Sequence, residues 1–336
     1  MSDSVMENKR PDKKDRALDL FEEEENISDR ASWIRKNIKE FDGDISEEYK
    51  KLAKKYRKLL KETKKIVKLS DQLQNKLNLA YNELDKKDKI ITKDLKMAKK
   101  IQERLLPKQL PKVQSCNFAS FYLPMDEVGG DFFDYIEIDE NNVGIFLSDV
   151  SGHGVSAAFI TSMIKTYITV DKENLLEPKK FILNLRNNIL PLLIDKHFTG
   201  LYGVLNTKEK TFNFCNAGHD DQIVLKPAKN EIEKIFVKGS IIGYFAFPDD
   251  LYHEKTVRIE PGERLVLFTD GVTEIFNSEK KIKQNQYSIK GLSMCLLENS
   301  NKPPQELIQC VLDDIKKFQN KDTFSDDIAL LVIEME

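Results

Sequence analysis

From residue 46 to residue 106 the chain has neither proline nor glycine, and apolar side chains return at alternating steps of three and four. The seam runs through Leu52, Tyr56, Leu59, Ile66, Leu73, Leu77, Ala80, Leu84, Ile91, Ala98, Ile101 and Leu105, and Thr63, Ser70, Lys87 and Asp94 interrupt it. A repeat of 3.5 rather than 3.6 predicts a coiled coil rather than a surface helix. So narrow a stripe on so long a helix needs a partner. A second copy of the chain, paired through residues 46–106, is the simplest one, and folding back on its own domain is the alternative. Pro107 and Pro111 stop the helix. Ahead of it, residues 1–45 are polar and charged, with an acidic run at Glu22–Glu25. They are expected to be disordered or to form short helices near residues 17–21 and 29–41, the second carrying Trp33.

Beyond residue 107 the pattern changes to short apolar runs bounded by turn residues. Strands are expected at residues 117–123, 132–138 and 143–148, then helices at 154–170 and 178–194. Further strands are expected at 201–206, 211–216, 222–226, 235–238, 254–259 and 264–269, helices at 288–298 and 304–318, and a closing strand at 328–334. Blocks of strands separated by paired helices predict an α+β layered domain rather than a βαβ repeat.

Several of these runs end in aspartate. Asp149 closes the apolar run 143–148 and opens the turn Val150-Ser151-Gly152-His153-Gly154. Asp131 follows Gly129-Gly130, Asp270 follows Thr269 and precedes Gly271, and Asp326-Asp327 opens the last strand. If one sheet edge gathers these ends, the carboxylates repel one another unless a divalent cation neutralises them. Such hard cations take oxygen ligands, from carboxylates or backbone carbonyls.

Gly129-Gly130-Asp131, Asp149-Val150-Ser151-Gly152-His153-Gly154, Phe268-Thr269-Asp270-Gly271 and Asp326-Asp327-Ile328-Ala329 stand in an order and spacing that resembles the SpoIIE/RsbU branch of the PPM-type (type 2C) metal-dependent serine/threonine protein phosphatases. The resemblance covers roughly residues 100–336. It implies a four-layer α/β/β/α sandwich of two antiparallel sheets, with two Mn2+ or Mg2+ ions at one edge. It implies that Asp149 bridges the ions and that the Val150 carbonyl is a ligand. Asp270 and Asp326 would complete one site, and Asp131 would bind directly or through water. Asp149, Asp131 and Asp270 are thereby the candidate catalytic carboxylates. Asp327 is open between a metal role and hydrogen bonding at the strand end. His153 is open between acid catalysis and pinning its turn. His219 matches the branch's Asn-Ala-Gly-His motif, although Asp220 and Asp221 stand where proline is usual. Gly130 occupies the position of a glutamate found in distant relatives, and no arginine matches their phosphate contact.

Composition narrows the alternatives. With 32% charged residues and a net charge of −3, nothing points to nucleic acid. No apolar run reaches the ~18 residues of a membrane span, and Met1 to Arg16 has no signal-peptide core. The four scattered cysteines, with no C-x-x-C pair, are expected to be reduced residues of a cytoplasmic protein. The resemblance implies hydrolysis of phosphoserine or phosphothreonine on a regulatory protein, an anti-sigma factor antagonist of the STAS type, in partner-switching signalling. A catalytically weak pseudo-phosphatase, or a coiled-coil scaffold, is the alternative. The expected organisation is a tail (residues 1–45), a signalling and dimerisation helix (46–106) and a phosphatase domain (107–336).

Overall fold

The structure, a computed structural model, describes residues 43–113, 115–277 and 285–336, together with 25, 26, 28, 29, 32, 35 and 36. The expected helix at 17–21 and most of that at 29–41, including Trp33, lie outside the described residues. The chain forms two compact units, residues 1–91 and 92–336.

One helix, α1 (Gly43–Leu105), runs through the boundary between them. It begins at Gly43, three residues ahead of the expected start. In the first unit the seam residues Leu52, Leu59, Ile66, Leu73, Leu77 and Leu84 are exposed, each by more than half. Two of the polar seam positions are satisfied within the helix: Thr63 Oγ1 donates to the Leu59 carbonyl at 2.9 Å, and Lys87 pairs with Glu83 at 2.9 Å. No helix among the described residues is long and apolar enough to cross a membrane.

The second unit is built on two antiparallel sheets. One has the order β1 (Cys116–Leu123), β11 (Ile328–Met335), β10 (Arg264–Phe268), β6 (Gln222–Lys226), β7 (Glu231–Ile235). The other has the order β2 (Phe132–Glu137), β3 (Asn142–Val150), β4 (His197–Asn206), β5 (Thr211–Ala217), β9 (Glu254–Arg258), with β8 (Ile242–Gly243) paired to the start of β4. Alternation along each strand sorts its side chains into layers. Val143, Ile145 and Leu147 of β3 meet Leu265 and Leu267 of β10 and Ala329 and Leu331 of β11 between the sheets. Phe146 and Val150 of β3 point the other way, under α2 (Val155–Val170) and α3 (Pro178–Ile189). Val266, Phe268, Leu330 and Val332 pack under α4 (Ser288–Glu298) and α5 (Pro304–Gln319). This is the expected four-layer α/β/β/α sandwich.

Two elements differ from expectation. The strand expected at 235–238 is absent: β7 ends at Ile235, and the chain continues as a loop tied down by the two-residue β8. The helix expected at 178–194 stops at Ile189, where Leu190-Pro191-Leu192 tightens into a 3-10 turn, because the proline has no amide to continue the ladder.

Candidate metal centre

The alternation that fills the core also positions the site. Asp131 lies two residues before Phe133, Asp149 two after Leu147, Thr269 two after Leu267 and Asp327 two before Ala329. Those four apolar residues all belong to the inter-sheet core, so the four polar ones continue its inner face past one edge of the sandwich. The neighbours Asp270 and Asp326 stand at the same edge. The carboxylates named from sequence are therefore brought together, contributed by both sheets.

They are held in two ways. Asp131 and Asp327 are buried. Thr269 Oγ1 donates to Asp131 Oδ2 at 2.5 Å. Asp327 accepts from the Met125 amide at 2.6 Å and the Gly130 amide at 2.5 Å, which makes it a clamp on the Gly129–Asp131 loop. The chain approaches itself so closely there that a Cβ on Gly130 would lie 2.5 Å from the Val150 carbonyl oxygen. A side chain at position 130, such as the glutamate of distant relatives, does not fit this packing. Asp149 and Asp270 are half-buried, and among the described residues no hydrogen bond reaches either carboxylate. Asp326 is exposed and accepts from the Asp327 amide at 2.8 Å.

The electrostatics result from that crowding. Burial, then the charges of Asp326, Asp327, Asp220 and Glu274, push Asp149 up to about 6. Burial, then Asp149, Asp326, Glu274 and Asp220, push Asp270 up to about 7. Asp131 is held well above the ordinary carboxylate range by burial and by Asp149, with Thr269 opposing. Burial also raises Asp326, and the Asp327 amide and His153 pull the other way. Among the described residues no Lys or Arg pairs with any of the five. Nor do any three His, Cys, Asp or Glu side chains there close on a single point. Like charges spread apart, and an open ring supplemented by a backbone carbonyl and water is a different object from an all-side-chain cage. The donor set is hard oxygen throughout, anionic and without a protein counter-charge, and it fits divalent Mn2+ or Mg2+. Asp131, Asp149, Asp270, Asp326 and the Val150 carbonyl are the groups that would hold such ions.

The two histidines serve differently. His153 is exposed and its Nδ1 lies 2.6 Å from Asp126 Oδ2, which fixes the turn. His219 is buried. Its ring lies 2.9 Å from Thr199 Oγ1 of β4 and 3.2 Å from the Phe268 carbonyl of β10. The carbonyl only accepts, so Nε2 carries the proton and Nδ1 accepts from Thr199. Burial holds the ring below its usual range, so it stays neutral and ties the two sheets together beside the carboxylates. Asn216 supports it by donating to the His219 carbonyl at 2.7 Å and accepting from its amide at 2.6 Å.

Two contributors escape a reading of the sequence. Thr269 orients Asp131, and its only signal is its place one residue before Asp270. Gln102, in the last turn of α1, is buried. Its Nε2 donates to the Gly129 carbonyl at 2.7 Å and its Oε1 accepts from the Gly129 amide at 3.0 Å. The end of the helix thus grips the glycine two residues before Asp131. Nothing in the sequence marks it, because Gln102 lies beside the apolar seam rather than in it.

The chain resembles known proteins in sequence and in fold. The chain is 25% identical over 245 residues to the phosphoserine phosphatase RsbU of Bacillus subtilis, covering 72% of this chain and 70% of that protein. It is 28% identical over 188 residues to the phosphoserine phosphatase RsbP of the same organism, covering 54% of this chain and 45% of that protein. The fold is shared with the SiaA-PP2C domain of Pseudomonas aeruginosa, with a TM-score of 0.64 at 21% identity, covering 74% of this chain and 98% of that one. It is shared also with the RsbU and RsbW domains of a Mycobacterium tuberculosis protein, with a TM-score of 0.57 at 19% identity, covering 67% of this chain and 61% of that one. The family described as Stage II sporulation protein E (SpoIIE) matches residues 139–336, a span that begins just after Asp131 and takes in every other carboxylate of the ring. That span is more than half of the chain, and the chain therefore belongs to the SpoIIE family of PPM-type (type 2C) serine/threonine phosphatases.

Proposed function

We propose that this protein is a cytoplasmic Mn2+- or Mg2+-dependent phosphatase. It removes phosphate from serine or threonine on a regulatory protein of the STAS type, in partner-switching control of a sigma factor. The observation that carries the reading is the ring of Asp131, Asp149, Asp270 and Asp326 at one open sheet edge, two of them without a protein donor among the described residues. Divalent ions held there would supply a nucleophilic water at neutral pH and neutralise charge at the phosphoryl group. The chain's own residues hold and orient that centre. Asp149 and Asp270 would give their free oxygens to it, while Thr269 fixes the rotamer of Asp131 and Asp327 fixes the loop that carries Asp131. Three buried thiols, Cys116, Cys215 and Cys295, are pushed up to about 11, 12 and 12 by burial, so none offers a thiolate nucleophile at neutral pH. The free cysteines fit a reducing compartment.

The relatives RsbU and RsbP are named phosphoserine phosphatases, which supports the substrate class. The exposed seam of α1 supports a homodimer through residues 46–106, and the organisation into tail, helix and phosphatase domain rests on the same seam and on the sandwich. A second reading, a non-catalytic docking module, draws on the open arrangement of the carboxylates. Hydrolysis decides between them. The full chain is incubated with a phosphorylated STAS-domain protein from the same genome, with Mn2+ and with EDTA. Phosphate release that needs the metal and is lost in Asp149→Asn is the expected result. Retained binding of the phosphoprotein without any release establishes the docking module.

A further inference from the structure

In the phosphatase reading the carboxylate ring would hold the ions that serve phosphate cleavage, but it carries nothing that tells one phosphoserine from another. Recognition has to come from surface beside it, and one loop is built for that. Residues 236–253 connect β7 to β9 and cross the start of β4, where Ile242 and Gly243 of β8 pair with Phe198 and His197. His197 in turn is bonded to the metal loop. The Ser151 amide donates to the His197 carbonyl at 2.9 Å, and the His197 amide donates to Ser151 Oγ at 3.1 Å. Ser151 is two residues from Asp149. Lys196, half-buried, donates from Nζ to the Ser151 carbonyl at 2.8 Å, and among the described residues no carboxylate pairs with it. The loop and the site thus share one strand end.

At the tip of the loop the backbone is strained. Gly243 has φ 151° and Tyr244, a non-glycine residue, has φ 57°. The Phe245 amide donates to the Gly243 carbonyl at 2.6 Å. A Cβ at position 243 would lie 2.3 Å from His197 Cβ, so the turn sits directly on β4. Its effect is to hold Tyr244 and Phe245 out in solvent, each 63% exposed. Neither ring is loose. Tyr244 lies over the His197 ring with centroids 4.9 Å apart, and Phe245 lies 4.7 Å from Phe247. A left-handed tyrosine costs stability, and nothing in the core is gained by it. Pre-ordered aromatics with a dry face and a wet one are what protein contact surfaces use as anchors.

We propose that the Tyr244–Phe245 tip is the docking point for the phosphorylated protein substrate. It takes an apolar side chain flanking the phosphoserine, with Lys196 supplying positive charge on the same shoulder. The proposal rests on the phosphatase reading, and it predicts that the tip acts on a protein substrate and not on a small one. The test compares the full-length wild type with Tyr244→Ala/Phe245→Ala on two substrates, p-nitrophenyl phosphate and a phosphorylated STAS-domain protein, both with Mn2+. Melting temperature and sedimentation mass are recorded alongside. The double variant is expected to lose about 10-fold or more in kcat/KM for the phosphoprotein, mostly through KM. Its rate on p-nitrophenyl phosphate should stay within about twofold of wild type. Lys196→Gln is expected to give a smaller loss on the phosphoprotein that fades in high salt. Tyr244→Phe should behave as wild type.

Unchanged phosphoprotein turnover in the double variant overturns the proposal. Equal loss on both substrates also overturns it, since the tip would then be shaping the centre. So does a fall in sedimentation mass, which would make the tip a contact between copies of this chain. If wild type hydrolyses neither substrate, the phosphatase reading fails by itself. Calorimetric binding of the phosphoprotein to wild type and to the double variant then decides the docking point.

Discussion

Four of the carboxylates at the sheet edge fall into two pairs that differ in what satisfies them, with Asp326 exposed beside them. Asp131 and Asp327 are buried, and protein donors reach both: Thr269 for the first, the Gly130 and Met125 amides for the second. Asp149 and Asp270 lie at the opening with no donor among the described residues and with carboxylates as their neighbours. The inner pair is tied into the architecture and the outer pair carries charge that the protein leaves unbalanced. The difference separates residues whose loss should harm the fold from residues whose loss should harm only the chemistry.

The largest effect expected is on the outer half. Asp149→Asn or Asp270→Asn should cut turnover by more than the about 10–100-fold typical of an outer-shell loss, with the domain still folded. In EDTA these variants should melt no lower than wild type, because a repelling charge is gone. Initial rates and a melting curve check both, and a variant that keeps substantial activity breaks the distinction.

The inner half should behave in the opposite way. Asp327→Ala leaves the buried Gly130 amide and the half-buried Met125 amide without their acceptor. At about 1–3 kcal/mol for each buried unsatisfied group, urea unfolding should show a loss of roughly 2–4 kcal/mol. Activity should fall as well, because the loop carrying Asp131 is released. An Asp327→Ala protein as stable as wild type would mean that the clamp is incidental.

The two halves should also separate by pH. Asp149 and Asp270 titrate at about 6 and about 7 in the folded chain, above their value of about 4 when unfolded. Folded pKa values that are raised favour the native state while the groups are protonated. Metal-free protein should therefore lose stability as pH rises from about 4 to about 7, by roughly 1–3 kcal/mol once solvent exposure and coupling are discounted. Melting temperature against pH in EDTA measures this. Asp149→Asn should flatten the slope, and Mn2+ should remove it. A melting temperature that rises steadily over that range contradicts the assignment.

The position of the ring is legible in the sequence because strand alternation is strict. Once residues 143–148 are read as a buried strand, Asp149 has to continue one of its faces, and the same holds for Asp131 and Asp327. The supporting contacts are not legible, because they depend on how separate segments meet. Gln102 shows this best. The 3.5 repeat puts Ile101 on the seam, yet Ile101 is 56% exposed and its neighbour Gln102 is buried. The last turns of α1 pack on the sandwich, where Gln102 also meets Thr161 of α2 at 3.3 Å, so the packed face is set by the domain rather than by a coiled-coil partner. The loop after Ile235 reads as a strand for a related reason. Its apolar residues are anchored by the short β8 pairing and by glycines in tight turns, and neither shows in a local pattern. The smallest effect expected is at Gln102. Gln102→Leu removes the bonds to both Gly129 backbone groups and should cost about 1–2 kcal/mol, with a few-fold loss of activity. Wild-type stability and rate together would show that the helix end does not position Asp131.

The most direct test of the central claim is calorimetric titration of EDTA-stripped full-length protein with Mn2+ at pH 6 and pH 8, each in buffers of different ionisation heat. Outer carboxylates that hold protons near pH 6 must release them when a cation binds. Binding with net proton release is expected at pH 6, with little release at pH 8 and neither signal in Asp149→Asn. Absence of Mn2+ binding at both pH values, or binding unchanged in Asp149→Asn, would contradict it.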